Sequence, residues 1–262
     1  MEVIIQKDAA AAARLAARLM ADQLRAKPNT VFGLATGRTM EQLYALLADM
    51  HTRDGLDFSK ARTFNLDEYI GLAPEDPNSY RYYMDQHLFD RINIKKKNTH
   101  LPNGVAKDLD AECRKYEEKI EKCGGVDFQL LGIGRTGHIG FNEPLSAMAS
   151  RTRPKALTPE TVAQNAPLFD HPSKMPKRAI TMGVGTILES RRCLMLVTGK
   201  EKAAIVAKAV EGPITSMISA TALQLHPKCT VIVDTAAAAK LSQKEYYRWI
   251  FANEPEWEPY RK

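Results

Sequence analysis

A chain of 262 residues that is 44% hydrophobic and 26% charged has the make-up of a soluble globule with a sizeable core, within reach of one α/β domain. No apolar run approaches the roughly 18 residues needed to span a bilayer, and MEVIIQKDAA at the start lacks a basic segment followed by a long apolar one. Neither a membrane span nor a signal peptide is expected, and the default location is cytoplasmic. The net charge of +6 comes from dispersed lysines and arginines rather than a basic stripe, which disfavours nucleic acid and is compatible with small anionic ligands.

Short apolar runs alternate with longer amphipathic ones. Met1–Ile5 reads as an edge strand, and Asp8 caps an Ala-rich helix, with Leu15, Leu19 and Leu24 on one face, that stops at Lys27–Pro28. Val31–Ala35 is a buried strand, followed by a turn and a helix near Met40–Met50; Thr63–Leu66 is a short strand. Ser79 to Phe89 and Asp108 to Lys122 are predicted helices, the second ended by Gly124 and Gly125. Phe128–Leu131, Cys193–Val197 and Thr230–Val233 are further strands, and Lys202–Val210 and Ala236–Phe251 further helices. This alternation predicts a single Rossmann-like α/β domain over residues 1–262: a mainly parallel sheet with helices on both faces. Cys113, Cys123, Cys193 and Cys229 form no CxxC pair, so they are expected to be buried or incidental thiols without a disulfide framework.

Ligands of open α/β sheets bind beyond the carboxyl ends of the strands. Four strand ends carry suitable groups: Thr36–Gly37–Arg38–Thr39, Asp67–Glu68–Tyr69, GIGRTGH at 132–138, and Thr198–Lys202. The first offers hydroxyls, backbone N–H groups and a helix N-terminus to a phosphate; it lacks the Walker pattern. The glycines at 132, 134 and 137 miss the GxGxxG spacing, so no nicotinamide cofactor is expected. His138 with Glu143 five residues on suits an acid–base dyad, and a helix-capping histidine is the alternative. Asp67 is a candidate general base or a cap, and Glu68 a cap; His226, before a proline, supports a turn. No histidine pair has metal-ligand spacing, so no metal is predicted.

The segments ATGRT (35–39), TFNLDEYIGL (63–72), DAECRKYEEKI (110–120), GHIGFNEP (137–144), ASRTRPKALTPET (149–161), TMGVGTIL (181–188), AVEGP (209–213) and LQLHPK (223–228) resemble the glucosamine-6-phosphate deaminase, or isomerase, family. They run through nearly the whole chain. The resemblance implies aldose–ketose isomerisation of glucosamine 6-phosphate with loss of ammonia and without a cofactor. It assigns ring opening to His138 oriented by Glu143, proton transfer between C2 and C1 to Asp67, and phosphate binding to Lys202, which Gly37, Arg38 and Thr39 of the strand-to-helix turn are expected to join. The polar, proline-containing segment at about 149–176 is expected to be a lid. Where the family has an acid two positions before the histidine this chain has Thr136, and where some members have a lid arginine it has Pro167; Arg38 is expected to supply that charge. Some members are hexamers activated by N-acetylglucosamine 6-phosphate, and the matching residues Ser146, Arg153 and Lys155 are present, with Trp249 nearest to the expected C-terminal aromatic. A homo-oligomer with this activator is the resulting expectation.

Two rivals remain on sequence grounds. A sugar-phosphate lactonase of the same fold would not need a carbon-acid base at Asp67. A non-catalytic sugar-phosphate sensor would normally carry a helix-turn-helix segment, for which the chain shows no spare residues. A preference for galactosamine phosphate is equally open.

Overall fold

Seven parallel strands form the centre of the protein in a computed structural model describing residues 1–261. The first half of the chain runs β1 (Glu2–Gln6), α1 (Ala9–Ala26), β2 (Val31–Leu34), α2 (Arg38–Asp54), β3 (Arg62–Asn65), β4 (Asp67–Tyr69), α3 (Tyr80–His87), β5 (Thr99–His100) and α4 (Leu109–Lys122). The second half runs β6 (Phe128–Leu131), β7 (Arg153–Ala156), α5 (Pro159–Asn165), β8 (Arg178–Thr181), α6 (Val184–Leu188), β9 (Cys193–Val197), α7 (Ala203–Glu211), β10 (Cys229–Asp234) and α8 (Lys244–Asn253). The large sheet has the order β1-β10-β9-β6-β2-β3-β5. Beginning at β2 the chain builds outward through β3 and β5, then returns to the other side of β2 with β6, β9 and β10. The switch point lies between β2 and β6, where an α/β sheet leaves a crevice at its carboxyl edge.

Local chemistry explains the elements. Asp8 accepts the Ala11 N–H at 2.7 Å and starts α1, whose Leu15, Leu19 and Leu24 are buried in the core. Strands β6, β9 and β10 are buried on both faces, as a covered parallel sheet requires. His226 braces the turn before β10, with Nε2 2.7 Å from the Ser190 carbonyl and Nδ1 accepting the Lys228 N–H at 3.0 Å. Cys113, Cys193 and Cys229 are buried free thiols and Cys123 is half-buried. Among the described residues no helix is long and apolar enough to cross a membrane.

Two features depart from the sequence-based expectation. The predicted helix from Ala236 begins only at Lys244. Asp234 binds the Ala237 and Gly199 N–H groups and turns the chain, and Glu211 then holds the Ser242 and Gln243 N–H groups ahead of α8. The second feature is a separate antiparallel sheet, β4-β8-β7. It carries the 149–176 segment, which contains β7, α5 and two 3-10 turns, over a small core of Tyr69, Phe141, Leu157, Phe169, Met175 and Ala179. Glu117 on α4 roots it by accepting from the Thr152 N–H at 2.7 Å and the Thr186 hydroxyl at 2.7 Å.

Candidate active site

The loop after β6 is shaped around one imidazole. The Gly134 N–H donates to the His138 carbonyl at 2.9 Å and the Gly137 N–H to the Gly134 carbonyl at 3.1 Å, leaving Arg135 and Thr136 at the tip. A Cβ on Gly134 would fall 2.1 Å from His138 Nε2, so only glycine leaves the ring its place. His138 Nδ1 lies 3.0 Å from Glu143 Oε2 and 2.9 Å from the Thr136 hydroxyl, which itself donates to Glu143 Oε2 at 3.3 Å. The other carboxylate oxygen, Oε1, accepts the Thr158 N–H at 3.2 Å. Burial works to raise Glu143, but the His138 hydrogen bond and charge, with the Thr161 hydroxyl and Thr158 N–H, hold it down at about 2. Glu143 is therefore a fixed anion. The capping alternative for His138 does not describe this arrangement.

Asp67 has the opposite surroundings. It begins β4 where β3 bends away, is 7% exposed, and receives no hydrogen bond from the described residues. Burial first, and the adjacent Glu68 carboxylate second, push it up to about 8. Glu68 is the cap: it accepts the Tyr80 and Arg81 N–H groups at 3.0 and 2.9 Å, at the start of α3, and that of Tyr69 at 2.8 Å. The His138 loop passes against Asp67 at Gly140, where a Cβ would lie 2.9 Å from the Thr181 hydroxyl and 3.5 Å from Asp67 Oδ2.

The anion-ready groups lie at the ends of β2 and β9. Gly37 caps α2 without a side chain, leaving the first-turn N–H groups without a side-chain acceptor. Arg38 and Thr39 line a cavity of about 310 Å³ together with Gln42, Thr198, Gly199 and Asp234. Lys202 crosses from the β9 end to the β6 loop, where its Nζ donates to the Ile133 carbonyl at 2.8 Å. Burial, opposed by Glu201 and assisted by Arg135, lowers its pKa. Elsewhere Arg153 donates to the Ser146 hydroxyl at 3.0 Å and to Asn142 Oδ1 at 2.9 Å. Lys155 lies two residues further along β7, and exposed Trp249 sits on α8.

Thus Thr136, His138 and Glu143 come together, as do Ser146 and Arg153, whereas Arg38 faces the cavity beside β9. Sequence reasoning named Tyr69 only as part of a strand end, without a role, and did not find Thr158, Thr161, Tyr80 or Asn165. The Thr158–Pro159 pair, a cap followed by an N1 proline, is the one signal that would have started a helix there.

One free and one saturated carboxylate at neighbouring strand ends, with the uncapped start of α2 at the end of β2 between those strands, are the equipment of an acid–base enzyme for a small anionic ligand. The family model for glucosamine-6-phosphate isomerases and 6-phosphogluconolactonase matches residues 6–232, and the chain belongs to that family. A glucosamine-6-phosphate deaminase of Hahella chejuensis is 50% identical over 250 residues, 95% of each chain. One from Thermoanaerobacter pseudethanolicus is 46% identical over 245 residues, 94% of this chain and 97% of its own. Among solved structures, a monomeric glucosamine-6-phosphate deaminase superposes with a TM-score of 0.90 at 45% identity, covering 92% of this chain and all 100% of the other. A 6-phosphogluconolactonase from Trypanosoma cruzi, at TM-score 0.73 and 20% identity over 92% of this chain and 97% of its own, shares the fold.

Proposed function

We propose that this chain converts glucosamine 6-phosphate and water to fructose 6-phosphate and ammonia. The observation that carries the reading is the contrast between two buried carboxylates, Asp67 with no donor among the described residues and Glu143 bound by His138, Thr136 and Thr158. With Nδ1 committed to Glu143, the Nε2 side of His138 is left to move the proton from O1 to O5 that opens the ring. Asp67 then takes the C2 proton of the open aldose, giving an enolamine, and returns it to C1. The resulting C2 iminium adds water and loses ammonia, leaving the ketose. A base near pH 8 suits this transfer, because a carbon acid needs a base stronger than an ordinary carboxylate. The Thr136 hydroxyl orients the dyad, and Gly37, Arg38, Thr39 and Lys202 bind the phosphate. No step calls for a cofactor or metal.

The reading extends to the cytoplasm and to a homo-oligomer activated by N-acetylglucosamine 6-phosphate at Ser146, Arg153 and Lys155. What supports the activator is that Arg153, paired with Ser146 and Asn142, has no carboxylate partner among the described residues. The 45% identical deaminase is monomeric, so light scattering with and without activator is the direct measurement.

The deciding experiment is to assay ammonia and fructose 6-phosphate together from glucosamine 6-phosphate. Equal yields support the proposal. Ammonia without fructose 6-phosphate means a deamination of another kind, and binding without turnover means a sensor. Lactone hydrolysis that survives Asp67→Asn means a lactonase.

A further inference from the structure

Helix α5 is held at its two ends by groups belonging to the two halves of the proposed site. At its start the Thr158 N–H donates to Glu143 Oε1 at 3.2 Å, while Glu143 Oε2 takes His138. At its end Asn165 Nδ2 donates to the Tyr69 hydroxyl at 3.2 Å, and Tyr69 stands two residues from Asp67 on β4. The Tyr69 hydroxyl also pairs with that of Tyr80 at 3.2 Å. The surroundings are otherwise apolar: Phe141, three residues past His138, packs on Tyr69 and Tyr80 with centroids 5.6 and 6.1 Å apart, and Phe169 meets Tyr69 edge-on at 5.8 Å. Tyr69 is 2% exposed, and burial raises its hydroxyl to about 12, so it stays a neutral phenol. A buried phenol needs a partner for its hydroxyl, and here part of that need is met only by a residue of the 149–176 segment.

We propose that Tyr69 and Asn165 are positioning residues: their hydrogen bond ties the far end of α5 to the strand carrying Asp67, so that the seated helix fixes the spacing between Asp67 and the His138–Glu143 pair. A phenylalanine at 69 would fill the same apolar space, but only the hydroxyl gives the contact a direction. The two catalytic groups arise from different strands, and α5 is hydrogen-bonded at its start to Glu143 and at its end to Tyr69, two residues from Asp67. The inference rests on the proposed function for its kinetic consequence but not for its structural one.

The test is a double-mutant cycle of Tyr69→Phe and Asn165→Ala, alone and combined. Each single variant is expected to lower kcat about tenfold, the scale of one lost directed hydrogen bond plus misplacement, with KM within about threefold. The double variant should be no slower than the slower single, since both remove the same bond. The Tm of Tyr69→Phe should stay within about 2 °C of the parent, because the ring and its packing remain. Trypsin should cut at exposed Lys174 several-fold faster in either variant without substrate. Additive losses, an unchanged kcat in Tyr69→Phe, or unchanged cleavage would each overturn the proposal. Cleavage needs no turnover, so faster cleavage in a protein that releases no ammonia would sink the proposed function while leaving the α5 tie standing.

Discussion

Asp67 and Glu143 are both almost fully buried, at 7% and 2% exposure, yet they end on opposite sides of an ordinary carboxylate. Burial raises both. At Glu143 the donors from His138, Thr136, Thr158 and Thr161 more than offset it, whereas at Asp67 nothing does and Glu68 adds repulsion. Between these two residues it is the donors, and the His138 charge among them, that separate the roles; Glu68, with three backbone N–H donors but no cation beside it, is still raised by burial to about 7. A saturated anion can only orient its histidine; a free one can accept a proton.

The largest expected effect is at Asp67. Asp67→Asn should lower turnover by about 10³- to 10⁴-fold, the upper range for a lost general base. It should also stabilise the protein. The folded pKa, about 8, lies above the unfolded value, so at pH 8 the native carboxylate carries a penalty that the amide does not. Melting curves should show a Tm gain of several degrees at pH 8, shrinking as pH falls and gone by about pH 4, where both states are protonated. Glu143→Gln should do the reverse to stability while lowering kcat about 100-fold. Its folded pKa, about 2, is depressed, so the anion contributes stability above about pH 4.5 and loses it as pH falls toward 2. If both variants moved Tm in the same direction at pH 8, the contrast between the two carboxylates would be wrong.

Much of this was legible in the sequence. The strand ends bearing Thr36–Thr39, Asp67 and His138 are where alternating β and α patterns place them, whereas Glu68, expected to cap the turn that follows it, reaches on to the Tyr80 and Arg81 N–H groups at the start of α3. The small sheet was not legible: β4 is three residues long and β7 is only half-buried, so neither has a readable alternation. Nor was the link between Glu143 and Thr158, which are fifteen residues apart and meet only because β7 and β8 fold the segment back. Ala236–Phe251 misled because alanines favour a helix, but Asp234 captures the Ala237 N–H and sets a turn first.

A smaller effect is expected behind the dyad. Gly134→Ala puts a Cβ into the His138 ring, so the ring must leave Glu143 or the loop must shift. Turnover should drop about 10- to 30-fold, with the fold retained, because only an exposed loop tip need move. A kcat within twofold of the parent would mean that the tight seat of His138 is not what orients it.

The smallest effect concerns the positive end of the crevice, which the two carboxylates leave to other groups. Lys202 is half-buried and fixed to the Ile133 carbonyl, while Arg38 is exposed at the first residue of α2. A charge already desolvated contributes more to a phosphate than one screened by water, so Lys202→Ala should raise KM at least about tenfold and Arg38→Ala only about threefold. The Arg38 effect should fade with added salt, and that of Lys202 should persist, as screening reaches exposed charges first. If Arg38→Ala left KM unchanged while Lys202→Ala raised it strongly, Arg38 would belong to the cavity beside β9 and not to the phosphate.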